Sequence, residues 1–176
     1  MSVILLGYRG SGKTTVGRLV AARLGMSFAD VDELVVRSAG RNIREIFEAE
    51  GEKGFRDREA RAVAEALGLP GHVVSLGGGA VLRPETRDAL TATARERVYL
   101  RCAPESLAAR IAADPATAAA RPNLVAGSRG PADVDEINRV LAAREPLYRQ
   151  VMTRELDVTY LSPADVTQAI LQCLQS

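Results

Sequence analysis

Short unbroken runs of apolar residues alternate along the chain with longer stretches in which apolar positions recur every three or four residues. Val3-Ile4-Leu5-Leu6 is one such run, and it ends in glycine, as expected of a strand buried on both faces. Further strands are predicted at Val73-Val74-Ser75-Leu76, Val98-Tyr99-Leu100 and Leu156-Asp157-Val158-Thr159, with Phe28-Ala29-Asp30-Val31 as a weaker fifth. Helical periodicity fills the intervals, over residues 14–24, 32–39, 43–50, 52–67, 84–91, 104–113, 133–151 and 163–174. Gly25, Gly40, Gly51 and Gly68 stand just past four of these stretches, and Pro84, Pro104 and Pro163 open three others. Strands alternating with helices imply an α/β fold with a parallel sheet covered on both faces. Residues 113–131, ADPATAAARPNLVAGSRGP, break the pattern. This interval is long for a passive connection, and it reads either as a surface loop or as a mobile lid carrying Arg121 and Arg129.

Composition narrows the class. With 176 residues, 47% of them hydrophobic, 26% charged and a net charge of +1, the chain reads as one soluble domain with a core of its own. The near-neutral balance gives no general case for nucleic-acid or membrane-surface binding. No apolar run approaches the ~20 residues of a membrane span, and the N-terminus lacks the basic region of a signal peptide. Cys102 and Cys173 stand alone with one histidine, His72, so neither a zinc site nor a disulfide framework is expected, and a cytoplasmic setting is. His72, beside Pro70 and Gly71, reads as a turn residue before a strand. Of the 23 basic residues only Lys13 and Lys53 are lysines.

Lys13 belongs to the strongest signal in the chain. Gly7-Tyr8-Arg9-Gly10-Ser11-Gly12-Lys13-Thr14 fits G-x-x-x-x-G-K-[ST] between a predicted strand and a predicted helix. Glycines in such a loop aim backbone N–H groups at an anion, and the helix adds its positive end. Gly10, Ser11, Gly12, Lys13, Thr14 and Thr15 are therefore expected to hold the phosphates of a nucleoside triphosphate. Lys13 would reach the β- and γ-phosphates, and Thr14 would ligate Mg²⁺. A GTPase would carry an N-K-x-D segment, which is absent, and a large motor would need a longer chain. A small-molecule kinase is the natural reading, with a nucleotide-binding regulator as the alternative.

The other half of a kinase site is sought at the same sheet edge. Asp30 and Asp32 are expected on one face at the end of the second strand, one supporting Mg²⁺ and the other an acceptor hydroxyl, with Asp32 as a helix cap in the plainer reading. Arg56 and Glu59 lie three apart and so share a helical face, where Glu59 can hold the guanidinium. Read alone, that charged segment is a solvated face, and Lys53 within it has no role. Gly77, Gly78 and Gly79, directly after a strand, permit close approach of a ligand.

Taken together, GYRGSGKTTVGRLVAARLG, FADVD, GRNIREIFEAEGEKGFRDRE, SLGGGAV, the Arg121-Pro122 pair and LAAREPLY resemble the shikimate kinases. The resemblance implies a three-layer P-loop kinase fold with a five-stranded parallel sheet, helices on both faces and a mobile lid over about 113–131. It implies transfer of the γ-phosphoryl group of ATP to the 3-hydroxyl of shikimate in aromatic amino-acid biosynthesis, by a cytoplasmic monomer. By motif, Asp32 would hold the shikimate hydroxyls, Arg56 and Arg144 its carboxylate, and Gly78 the ring. Arg121 would close over the phosphates, and Arg110 falls where another nucleotide-side arginine is expected. Asn123, where the family usually has leucine, and Tyr160-Leu161-Ser162-Pro163, where some members contact adenine, depart from the pattern. A gluconate kinase shares the phosphate loop but need not carry GE-x-x-FR-x-x-E or R-x-x-LY.

Overall fold

A computed structural model describes residues 2–114 and 133–175. Strands β1 (Val3–Leu6), β2 (Ser27–Asp30), β3 (His72–Ser75), β4 (Glu96–Arg101) and β5 (Arg154–Asp157) form one parallel sheet in the order β2-β3-β1-β4-β5. The helices are α1 (Lys13–Leu24), α2 (Val31–Ala39), α3 (Ile43–Gly68), α4 (Pro84–Ala92), α5 (Pro104–Ala112), α6 (Val134–Val151) and α7 (Pro163–Cys173), with a 3₁₀ turn at Ala80–Leu82.

The central strand shows why helices cover both faces. Side chains alternate along β1, so Val3 and Leu5 join one cluster with Val16 and Val20 of α1, Ile111 of α5 and Ile170 of α7. Ile4 and Leu6 join a second with Val35 of α2, Ile46 and Val63 of α3 and Leu90 of α4. Burying an aliphatic side chain contributes ~1.5–3 kcal/mol, and a strand flanked twice must be apolar at every position. Helix α6 serves both layers, through Ile137 and Leu141 in the first and Tyr148 and Val151 in the second.

Connections then locate the functional edge. β1 leads into α1 on one face, whereas its neighbour β3 leads through the 3₁₀ turn to α4 on the other. Adjacent strands whose connections diverge open a crevice at their carboxyl ends. The glycines at 7–12 and 77–79 leave the sheet there.

Several expected boundaries shift, each for a local reason. β2 stops at Asp30 and α2 begins at Val31, because Asp30 itself is the cap: its Oδ1 accepts the Asp32 N–H at 3.0 Å. Asp32 is therefore neither the cap nor a partner of Asp30 on one strand face; it stands in the first turn of α2. β5 lies two residues earlier than its apolar run, since Asp157 accepts the Thr159 N–H at 2.9 Å and turns the chain there. The helices expected on either side of Gly51 run on as α3, but Gly51 sits at φ 69°, ψ −177°, so the helical geometry does break at that glycine. Gly68 does not stop this helix; Leu69 follows as its cap.

Candidate active site

The phosphate loop takes backbone angles that its glycines allow. Gly10 and Gly12 have φ of 80° and 94°, in the region L side chains avoid. Helix α1 starts at Lys13 with Gly12 as its cap, without a capping side chain or an acidic residue in its first turn. Its N–H groups and positive end thus face the loop, a ready anion site. Lys13 is buried, and its Nζ donates to Gly7 O at 2.9 Å and Tyr8 O at 2.8 Å, arching over the loop. The other lysine, Lys53, is exposed on α3. Thr14 Oγ1 donates to Asp30 Oδ2 at 2.8 Å, while the other Asp30 oxygen caps α2, so this buried carboxylate is fixed from two sides.

A cleft of about 850 Å³ opens over the loop, a size suited to a nucleotide and a small acceptor. Residues 9–16 form one wall, with Asp30 and Asp32 beside them. Arg110, Leu161, Pro163 and Val166 also line the cleft. Arg110 Nη2 donates to Val158 O at 2.7 Å and Thr159 O at 3.2 Å, which ties α5 to the turn after β5. Thr15 is exposed at the start of α1.

The three glycines after β3 form the hub of the other half. A Cβ on Gly77 would run into Glu59 Oε1 and lie 3.1 Å from Asp32 Oδ1. On Gly78 it would lie 3.3 Å from Gly7 O and 3.4 Å from Arg9 N, against the phosphate loop. On Gly79 it would overlap the Arg56 guanidinium, 2.6 Å from Nη2. Arg144 Nη1 and Tyr148 Oη both donate to Gly78 O, at 3.2 and 2.5 Å. One bare stretch of backbone is therefore touched by Asp32, Arg56, Glu59, Arg144 and the phosphate loop.

Electrostatics follow from burial. Arg56 and Glu59 are buried and joined at 2.6 Å, which corrects the expectation of a solvated face. The apolar packing of neighbouring Phe55 and Ala62 turns this side of α3 inward. Burial pushes the Glu59 carboxyl above its ordinary value, and the Arg56 guanidinium pulls it part of the way back. Burial likewise pushes the Tyr148 hydroxyl up to about 12 against the opposing pull of Arg144, so it stays protonated as a donor.

Of the residues singled out in the sequence, Asp30, Asp32, Arg110 and 10–15 line the cleft. Gly77, Gly78, Gly79, Arg56 and Arg144 are not in its lining and come together next to it, with Arg56 against Gly79 and Arg144 on Gly78 O. Arg121, Asn123 and Arg129, with most of the expected lid, lie outside the described residues. Two participants escaped the sequence reading. Tyr148 sits inside LAAREPLY, four residues after Arg144, a spacing that marks a shared helical face. Arg9 lines the cleft and pairs with buried Glu136 at 3.3 Å; no spacing rule links residues so far apart.

A parallel sheet in this order, with a glycine loop and lysine at the end of its central strand and a cleft open over that loop, defines a P-loop phosphotransferase. The shikimate kinase family profile matches residues 9–175. Shikimate kinase of Symbiobacterium thermophilum is 43% identical over 99% of this chain and 97% of its own, and that of Rhodopirellula baltica 38% over 98% and 89%. Among solved structures, shikimate kinase from Acinetobacter baumannii in complex with shikimate superposes with a TM-score of 0.88 at 33% identity, covering 99% of this chain and 92% of that one. The chain belongs to the shikimate kinase family, and it is an ATP-dependent small-molecule kinase.

Proposed function

We propose that the glycine hub holds shikimate and that its 3-hydroxyl attacks the γ-phosphorus of ATP lying over residues 10–15, giving shikimate 3-phosphate and ADP. The observation that carries this reading is the convergence of Asp32, Arg56, Glu59 and Arg144 on Gly77–Gly79, backbone that itself abuts the phosphate loop. Arg56 and Arg144 grip the carboxylate, a task suited to planar guanidinium forks and not to lysine. Asp32 orients the attacking hydroxyl and takes its proton late. Lys13 and Arg121 neutralise the transferring phosphoryl group, whose loose transition state rewards positioning and charge more than covalent chemistry. Thr15 and Arg110 act on the nucleotide side.

The donor set at Thr14 and Asp30 fits Mg²⁺. Two hard oxygens stand 2.8 Å apart, and no cluster of three or more His, Cys, Asp or Glu forms a protein cage among the described residues. Such a sparse site suits an ion that keeps waters and phosphate oxygens as its other ligands. When bound, it would supply positive charge to the β- and γ-phosphates. We read the whole chain as one kinase domain, with 113–131 as a lid, acting as a cytoplasmic monomer. Among the described residues no helix is long and apolar enough to cross a membrane.

A coupled ADP-release assay tests the reading. Release is expected with shikimate and not with gluconate. Release with gluconate alone would overturn the acceptor, and ATP binding without release on either acid would favour a regulator.

A further inference from the structure

One row of α6 is buried along its length although most of it is polar. Glu136, Val140, Arg144 and Tyr148 follow at four-residue spacing and are all buried, so they form a single ridge of the helix. The ends of this ridge dock on different loops. Glu136 Oε1 accepts from Arg9 Nη2 at 3.3 Å, on the phosphate loop. Arg144 and Tyr148 donate to Gly78 O, on the acceptor side. Those loops also abut each other, where Gly78 packs on Gly7 O and Arg9 N. The contacts close a ring from the phosphate loop through Gly78 and α6 and back to the phosphate loop.

The Arg9–Glu136 link is an expensive way to close it. Only 4% of the arginine side chain and 1% of the glutamate side chain are exposed. Stripping water from two ions seldom stabilises a fold more than an apolar pair of similar volume would. Arg9, however, is more than a core residue. It lines the cleft, and its guanidinium stands 5.7 Å from the centre of the Tyr8 ring. The Tyr8 hydroxyl, raised by burial, is pulled down by both Arg9 and Arg144. Both guanidiniums therefore act electrostatically on one residue of the phosphate loop.

We propose that Glu136 is a positioning residue for phosphoryl transfer: through Arg9 it fixes the phosphate loop relative to Arg144 on the same helix, and so the donor relative to the acceptor. From 136 to 144 the helix spans about 12 Å at its ~1.5 Å rise per residue, a stiff spacer between two half-sites. In-line transfer is sensitive to placement, and a shift of about 1 Å can cost ~10²-fold in rate. Loss of the spacer acts on kcat, because each half-site still binds its own ligand. The inference rests on reading Arg144 as an acceptor contact, which R144A tests separately through a raised KM for shikimate.

The experiment compares the parent with E136Q and with the double variant R9M/E136M, in steady-state kinetics with ATP and shikimate and in thermal unfolding. E136Q is expected to lower kcat by about tenfold or more, with both KM values within about threefold of the parent. R9M/E136M, which exchanges two buried ions for apolar chains, is expected to melt no lower than the parent yet to keep a low kcat. A folded double variant with kcat within about twofold of the parent would overturn the proposal. So would raised KM values at unchanged kcat, or failure of both variants to fold, either of which makes the pair a binding or core element alone. An unchanged shikimate KM in R144A would instead sink the acceptor reading on which it rests.

Discussion

Arg56 and Glu59, one helical turn apart on α3, form a buried ion pair in which Arg56 Nη1 donates to Glu59 Oε2 at 2.6 Å. Glu59 holds the guanidinium against Gly79, where it can meet a carboxylate. Burial raises the Glu59 pKa, with Arg56 opposing. A carboxyl raised in this way stabilises the fold below its ordinary pKa, and that contribution is lost as pH rises through the folded pKa. Acceptor binding runs the other way. As pH falls through the folded pKa, Glu59 is protonated, its grip on Arg56 weakens, and the KM for shikimate rises, beginning above the ordinary glutamate range. E59Q is expected to raise that KM by about tenfold or more and to remove this acid limb. KM measured against pH in both proteins checks it; an identical limb in each would refute the assignment.

Neighbouring glycines should fail differently. In G79A the new methyl would displace the Arg56 guanidinium, so shikimate KM is expected to rise about tenfold with ATP binding unchanged. In G78A the methyl presses on Gly7 O and Arg9 N, so kcat and ATP KM should suffer as well. Separate titrations of the two ligands distinguish them, and the same profile from both variants would contradict the geometry.

Y148F deletes one of two donors to the Gly78 carbonyl. Arg144 still satisfies that oxygen, so the expected loss is about 1 kcal/mol, a fall in Tm of roughly 2–4 °C for a chain of this size. Thermal unfolding reads it. The bound hydroxyl titrates only near its raised pKa of about 12, so the Tm difference between Y148F and the parent should be constant from pH 6 to 9.

Chelation of Mg²⁺ is expected to abolish turnover, and D30N to raise the Mg²⁺ concentration needed for half-maximal rate. Asparagine caps helices about as well as aspartate, so α2 stays capped and Tm should change little. A D30N enzyme with normal Mg²⁺ dependence would remove Asp30 from the metal site.

Arg121→Ala is expected to lower turnover toward the ~10³-fold scale of arginine fingers while shikimate affinity stays nearly intact. Direct titration of shikimate beside kcat measurement separates the two. An unchanged rate would refute the lid assignment.

What could be read ahead of the coordinates follows from the range of each signal. Val3–Leu6 and the glycine loop after it announce themselves locally, because double burial and positive φ each demand particular residue types. The cap falls at Asp30, two residues before the Asp32 that the pattern suggests, since D-x-D offers two carboxylates and only the backbone path decides which one receives an N–H. Arg56 and Glu59 were visible as a pair, yet their burial depends on what α3 meets across space. Glu136 and Arg9 stand 127 residues apart, and a partnership of that kind exists only once the sheet has assembled.

The scarcity of lysine also makes the molecule its own reporter. Apart from the terminal amine, an amine-reactive dye has two targets, and the exposed one, Lys53, lies three residues before Arg56 on α3. Lys13 is shielded under its own loop carbonyls. With the terminal amine blocked first near neutral pH, where it reacts ahead of lysine, labelling should decorate one helix beside the proposed acceptor site and spare the phosphate loop, placing a single fluorophore where acid binding can be watched without touching the chemistry.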